Sequence, residues 1–582
     1  MDKQKGRYGF RKIFFVTLLL VTLLSVFYMP VRYTDRFFTS GMIWLGFSIP
    51  AFAVVYFLFM ARCIHFSWFW GYAFLLTGFY GLYAWVAEVF QWQQFFYLLV
   101  LLLGGFLFSQ ARGILKLKDI ALCLTVTAGV QALLGIAQYV GWFPRFNVRF
   151  PVTGTFDNPA GLAMFLALCF PFSLSFVFSA IFRERIGGIF VAGIMMLAVL
   201  FSGSRTGLIA LLLIMGITSW QYFKPGRSVR RLLVMPGLVL GLVLAMGLYR
   251  FKKDSADGRL SIWRCTWEMI REKPLLGHGP GSFGGKYMLF QADYLQRHPD
   301  QRLEMLADNV KHPFNEYLKV WAELGLLGIV LIGVGMIRLI RQCLRQERIM
   351  WPALISWMAF MVCGLFSYPL NYPSICLLLA LDFGLLAGEG KADLRVRWGA
   401  KLVFAMIPAG LLVFAFYWQR MEVRWTQVAH RALVGEEDVL PEYARLYPFL
   451  SENPLFLYNY GAELKERKLW LESAAELKKC SRLLNDTDVQ LLLGEDYSQA
   501  GCIDQAEACL LLASQMCPNR FLPLYHLVRL YDAAGRKKEA GYWAGIIVEK
   551  PVKVQSYMVN RIKKQMEEYL KEQEEGIDNF LE

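Results

Sequence analysis

Gly277-His278-Gly279-Pro280-Gly281-Ser282-Phe283-Gly284-Gly285 lies within the longest polar interruption between the first apolar segment of the chain and the last, Arg250 to Asn315. The interruption ends in Lys311-His312-Pro313-Phe314-Asn315, at the mouth of the next apolar run. On both sides the apolar residues are bunched into runs of about 17–23, the length that crosses the hydrocarbon core of a bilayer as a helix. Backbone groups in lipid must be satisfied within the protein, so these runs read as helices. The expected fold is all-α: a polytopic transmembrane helical bundle of about 12–13 spans, with a helical repeat domain after it.

The 582 residues are 56% hydrophobic and only 18% charged, less charge than a soluble protein of this size carries. The formal charge of +15 invites a nucleic-acid reading. Most Lys and Arg instead stand in short clusters beside apolar runs, where membrane topology accounts for them, so no nucleic-acid partner is expected. Of the eleven cysteines, six fall in or beside apolar runs and those of the tail lack CxxC spacing, so no metal site is expected. Basic residues precede the apolar run Ile13 to Met29 and no small-residue cleavage site follows, which predicts a retained first span.

Thirteen spans are predicted, at 13–29, 40–60, 69–89, 93–109, 119–140, 159–181, 187–202, 206–223, 232–249, 314–337, 351–370, 374–390 and 402–418. With the N-terminus inside, the even-numbered loops collect Arg62, Lys116, Lys118, Arg183, Arg185, Arg338, Arg341, Arg395, Arg397 and others, whereas the opposite short loops hold few basic residues. That bias sets the orientation. The loop 250–313 is then extracytoplasmic, and an odd span count puts the tail on that side too. The domain expectation is a membrane domain 1–418 and a repeat domain 419–582. In the tail, Gly461 and Gly494 are 33 residues apart, Ala506 and Ala540 are 34, and Pro518 and Pro551 are 33. This period resembles tetratricopeptide repeats, about three copies, near the minimum for a stable solenoid. It serves either as a docking surface for a protein or glycan or as a packing annex to the membrane domain.

Candidate chemistry gathers at the outer loops. Pro313 favours a first helical position, which makes His312 the expected cap of the next span. A helix N-terminus disfavours imidazolium and keeps the ring neutral, as a general base requires. Asn315 follows closely enough to orient the ring or a substrate hydroxyl. His298 and His278 compete with His312 for this role. Arg205, in Ser202-Gly203-Ser204-Arg205-Thr206-Gly207, is the one basic residue of a very short outer loop. Its fork suits a phosphate, or it snorkels, or it pairs with Glu88 or Asp157. Arg259 and Arg264 would extend an outer anion site, with Trp263 and Trp267 at headgroup depth. Asp157 or Asn158 caps the span that Pro159 opens, and Asn158 is also a candidate substrate contact. Glu323 is an intramembrane carboxylate, functional or structurally paired. The glycine loop lacks the Gly-Lys-Ser/Thr of a P-loop and reads as scaffolding. Asp486-Thr487-Asp488 is a formal DxD at a repeat boundary, a poor place for a nucleotide-sugar metal. An outer membrane enzyme with neither nucleotide nor metal needs a substrate that is already activated.

Thr153–Ala163, Ser202–Leu208, Arg259 through Gly285 with Lys273-Pro274-Leu275-Leu276-Gly277, and His312 through Gly328 with Asn315-Glu316-Tyr317-Leu318 together resemble the O-antigen ligase and polymerase superfamily. The resemblance spans roughly residues 150–390. It implies a glycosyltransferase of the bacterial inner (cytoplasmic) membrane. It would move a glycan from a polyprenyl-pyrophosphate donor to a hydroxyl of a lipid, glycan or protein acceptor, with inversion and without metal or cofactor. It implies that His312 deprotonates the acceptor and that Arg205, with Arg259 or Arg264, binds the donor pyrophosphate. Many members place Asn directly after the His, whereas here Pro313 and Phe314 intervene. Three other readings stand beside it: a polymerase of lipid-linked repeat units, a polytopic polysaccharide transporter or flippase, and a membrane scaffold working through its repeats.

Overall fold

In the computed structural model the helices follow the apolar runs. It describes residues 2–223, 253–345, 350–387, 392–435 and 439–581, so the expected ninth span, 232–249, lies outside the described residues. The first eight helices are α1 Asp2–Leu23, α2 Thr39–Val55, α3 Trp68–Val86, α4 Trp92–Gln110, α5 Leu117–Tyr139, α6 Pro159–Val177, α7 Phe182–Ser202 and α8 Arg205–Phe223. The polar interruption folds into α9 Lys253–Glu272, α10 Phe283–Arg297 and the short α11 Gln301–Leu306. Then come α12 Glu316–Leu344, α13 Trp351–Phe366, α14 Pro373–Leu386 and α15 Trp398–Leu433. Among the described residues eight helices are long and apolar enough to cross a membrane, and Arg205–Gln221, Trp351–Phe366 and Pro373–Leu386 are shorter apolar helices.

The centre of the bundle is α6. Every residue from Gly161 to Ser173 is buried, so this helix is apolar all round, as a core helix is. Helices α5, α7, α8 and α13 pack around it. The two-residue link between α7 and α8 is set by local chemistry: Gly203 ends α7 in a left-handed conformation, and the Ser204 hydroxyl accepts from Gly207 N. Arg205 is thereby the first residue of its helix. A two-stranded antiparallel ribbon, β1 Cys63–Phe66 with β2 Ala392–Arg395, joins the loop after α2 to the loop after α14. Two loops expected on one side of the membrane therefore do lie together.

The expected tenth span is a broken helix. Gly325 has φ 66° and ψ −169°, so α12 is two helical segments meeting at that residue. A break in a membrane helix strands backbone groups that lipid cannot satisfy. The glycine loop supplies their partners. His278 N and Gly279 N donate to the carbonyls of Ala322 and Glu323, each at 2.9 Å. Leu326 N and Leu327 N donate to the carbonyls of Pro274 and Leu275, at 2.9 and 3.1 Å. The Glu323 carboxylate accepts from Phe283 N at 3.3 Å. The loop is scaffolding, as its sequence suggests. Glu323, a candidate for orienting substrate, helps hold the loop in place.

The helix of the last apolar run does not stop at 418. α15 runs unbroken from Trp398 to Leu433, and Met421, Trp425 and Val428 join the core of the segment beyond. The expected boundary at 418 falls within a helix. Beyond it lie α16 Leu440–Leu450, α17 Pro454–Glu466, α18 Trp470–Leu483, α19 Thr487–Gln499, α20 Ile503–Met516, α21 Leu522–Ala533, α22 Lys537–Glu549 and α23 Tyr557–Leu581. α17 packs on α18, α19 on α20 and α21 on α22. The period of 33 residues has a packing cause: a Cβ at Gly461 would come within 2.8 Å of Leu477, and one at Gly494 within 2.6 Å of Leu510.

Placing a Cβ on Gly325 would put it 2.2 Å from the Leu275 carbonyl oxygen in a conformation that L residues avoid, so Gly325→Ala should cost about 2 kcal/mol or more. Gly333 in the same helix has nothing within 4 Å of its added Cβ. Thermal unfolding of the detergent-solubilised chain should show a clearly lowered midpoint for Gly325→Ala and an unchanged one for Gly333→Ala. Equal midpoints would remove the interlock from the account.

Candidate active site

α12 begins at Glu316, not at Pro313. The Asn315 side chain accepts from Tyr317 N and Leu318 N, both at 3.0 Å, and is the cap. An amide oxygen reaches the second and third helical N–H groups from the cap position better than an imidazole does. Two expectations change with that. His312 is not the cap but stands three residues before it, and the Asn315 oxygen is committed to the helix rather than to orienting a ring. The intervening Phe314 has φ 54°, a genuine outlier for a bulky side chain. It is held there from two sides. The Arg259 guanidinium carbon lies 5.0 Å from the Phe314 ring centre, and the Tyr368 ring meets it edge-on at 5.4 Å. Strain of this kind, of order 1–3 kcal/mol, persists where the surroundings over-determine it.

His312 lies against the connector between α13 and α14. Its ring stacks on Tyr368 with centres 4.9 Å apart. The Asn371 amide nitrogen is 2.7 Å from His312 Nε2 and donates to it, which leaves the ring proton on Nδ1. Tyr368 is fixed in turn by Asn158, whose amide nitrogen donates to the hydroxyls of Tyr368 and Tyr372 at 2.8 and 2.7 Å while its oxygen caps α6. Asn158 therefore does cap its helix, and its other end braces the platform under His312. Burial above all, then the ammonium groups of Lys319 and Lys311, push the His312 imidazole down to about 3. The ring is neutral at physiological pH, for reasons of burial and charge rather than capping.

The arginines separate. Arg205 Nη2 donates to Ser255 Oγ at 3.2 Å, which places it on the first turn of α9. Arg259, one turn further along, donates from Nη1 to the Phe366 carbonyl at 2.7 Å. Burial, and next the Arg205 charge, push the Arg259 guanidinium down to about 10, so it stays charged beside a second cation. Arg264 is exposed and lines a different hollow, with Trp267, Tyr294 and His298. The structure thus brings Arg205, Arg259, Phe314, Tyr368 and His312 together and leaves Arg264 apart. Neither competing histidine joins them. His278 is buried with Nε2 at 2.9 Å from the Met269 carbonyl oxygen, and His298 stacks on Tyr294. Trp263 donates to the Pro313 carbonyl at 2.9 Å, tying α9 to the His312 loop.

Sequence reasoning missed Tyr368 and Asn371, because the thirteen-span reading ends one apolar run at 370 and starts the next at 374. The signal was Tyr368-Pro369-Leu370-Asn371-Tyr372-Pro373, two prolines and an amide that no continuous membrane helix accommodates.

The depressed His312 ring contributes stability that is present above the ordinary histidine value and is lost as pH falls from there towards the folded value of about 3. Between pH 7.5 and 5.0 the thermal midpoint of the wild type should therefore fall more than that of His312→Gln. His278 and His526 are also depressed, but they are common to both proteins and cancel in the difference. An identical fall in both would mean that His312 titrates normally.

No curated protein matches the chain. A family model described as O-antigen ligase matches residues 190–333, about a quarter of the chain, which includes Arg205, Arg259, Arg264 and His312 but not Asn158, Tyr368 or Asn371. Together with the apolar helices, this match supports a multi-pass membrane protein with a glycan-transferring, glycosyltransferase-like activity of the O-antigen ligase type.

Proposed function

We propose that the chain transfers a glycan from a polyprenyl-pyrophosphate donor to an acceptor hydroxyl at the extracytoplasmic face of the bacterial inner membrane, with inversion at the anomeric carbon. The observation that carries this reading is that Arg259, with the Arg205 charge beside it, packs on the strained Phe314, whose other neighbour Tyr368 carries the neutral His312 ring. The guanidinium pair would hold the pyrophosphate and take up the charge that develops as the glycosidic oxygen leaves. His312 would accept the proton of the attacking hydroxyl, which takes the place of the Asn371 amide at Nε2. Arg264, on another side of α9, would meet lipid headgroups or a more distant part of the donor.

A ring held at about 3 is a weak proton acceptor. The cause suggests the remedy. Burial depresses it most and Lys319 and Lys311 add to that; an arriving dianion would offset the two ammonium charges. Donor binding would then raise the basicity of His312 by the part of the depression that the two lysines cause. The tail, read as three tetratricopeptide-like repeats, contacts the outer loop directly: Asn485 N donates to the Gly284 carbonyl at 3.0 Å. That contact supports the odd span count and a tail on the same side as the loop.

His312→Ala should abolish transfer while the protein stays inserted and monodisperse, and Arg205→Lys, which keeps charge and loses the fork, should cut kcat/KM by about tenfold or more. In cells lacking the protein, gel analysis of lipid-linked glycans should show accumulated full-length donor. Accumulated single repeat units would point to a polymerase, and unchanged glycans with an active His312→Ala would overturn the assignment.

A further inference from the structure

A cavity of about 330 Å³ opens onto the His312 ring from the side of the outer loop. Its walls include Ser261 and Ile262 of α9, Leu306 at the end of α11, Asp308 just after it, and the aromatic pair Phe314 and Tyr368. Arg205, Arg259 and Arg264 are not among its lining residues. An inverting displacement needs its nucleophile and its leaving group on opposite faces of one carbon. A space that reaches the base and leaves out the phosphate-binding arginines is where the nucleophile should come from. The size is at the small end of the roughly 300–1,000 Å³ typical of ligand pockets, enough for the end of a glycan and not for a long stretch of it. The lining suits a polyhydroxylated ring: aromatic faces for its C–H side, and the Ser261 hydroxyl, Asp308 carboxylate and Lys311 ammonium for its hydroxyls.

The outer wall of this cavity is held by the tail. The Asn519 amide nitrogen donates to the carbonyls of Glu304 and Ala307 at 2.9 and 2.6 Å, and the Lys553 ammonium donates to the Ala307 carbonyl at 3.3 Å. Arg520 bridges Asp308 at 3.3 Å and Asp488 at 2.6 Å. Asn309 donates to Asp488 at 2.9 Å and accepts from Thr487 N at 3.2 Å. Both repeat boundaries, 485–488 and 516–520, thus close on residues 304–309, just before His312. The Asp-Thr-Asp stretch has its use here: Asp486 caps α19, and Asp488 receives the loop.

We propose that this cavity receives the terminal sugar of the acceptor, and that the tail is the part of the protein that sets its shape. The inference rests on the assignment of His312 as the group that takes the acceptor's proton. Asn519 and Arg520 are positioning residues for the cavity wall. A tail that only recruits other proteins would not need to grip the segment leading into the active site; here its side chains end on the wall itself.

The test uses the full chain in lipid nanodiscs, polyprenyl-pyrophosphate glycan extracted from cells lacking the protein as donor, and the glycolipid fraction of the same cells as acceptor, each titrated in turn. Ser261→Trp fills the cavity, and Asn519→Ala releases the wall. Both should raise the acceptor half-saturation by about tenfold and leave the donor half-saturation within about twofold of wild type. If Ser261→Trp does not fold, Leu306→Trp fills the same space from the opposite wall and carries the same expectation. Wild-type transfer with acceptor half-saturation unchanged in these variants overturns the acceptor site while the transfer reading stands. Equal rises for donor and acceptor in Asn519→Ala also overturn it, because a general loosening would affect both. Failure of the wild type to transfer, or full activity of His312→Ala, overturns the underlying reading instead.

Discussion

A membrane helix interrupted at Gly325 must find partners for the backbone groups it exposes, and it finds them in a glycine loop from outside the bundle. That exchange is a constraint on everything around it. The loop cannot drift away without leaving amides and carbonyls of α12 unmatched. Its N-terminal neighbour, α9, is thereby fixed over the bundle with Arg259 and Trp263, and its C-terminal neighbour, α10, is fixed beneath the tail. The half of α12 before the break carries Asn315 at its cap and so sets where His312 can be.

Two tiers of bracing then converge on the imidazole. From the helical bundle, Asn158 at the head of the most buried helix holds Tyr368, and Tyr368 carries the ring. From α9, Arg259 and Trp263 hold Phe314 and Pro313. The left-handed Phe314 is the point at which both sets meet, which accounts for the persistence of a conformation that is costly by itself. A site assembled in this way is preorganised: its groups are placed by packing before any substrate arrives.

Much of the fold was legible because lipid leaves so few options. Apolar run length and loop charge are strong signals, and the helices from α1 to α8 follow the expected spans closely. What escaped was local. Periodicity and hydropathy are averages over many residues, so a single broken residue within an apolar run, Gly325, and a six-residue connector, 367–372, disappear into their neighbours. Cap chemistry misled at His312, where Pro313 suggested a helix start that the better acceptor, Asn315, takes instead. The three arginines were read as one set, and only the helical phase of α9 separates Arg259 from Arg264. The tail's role was the least readable, since its grip on residues 304–311 joins stretches about two hundred residues apart through side chains with no motif.

The central claim is a direct displacement at one site, with pyrophosphate leaving at the arginine pair and a hydroxyl arriving at His312. The anomeric configuration of the newly formed linkage reports on it without reference to any variant. NMR of the product made by the purified chain, compared with the configuration of the sugar–phosphate bond in the donor, should show inversion. Retention would require a second displacement on the protein and would contradict the account.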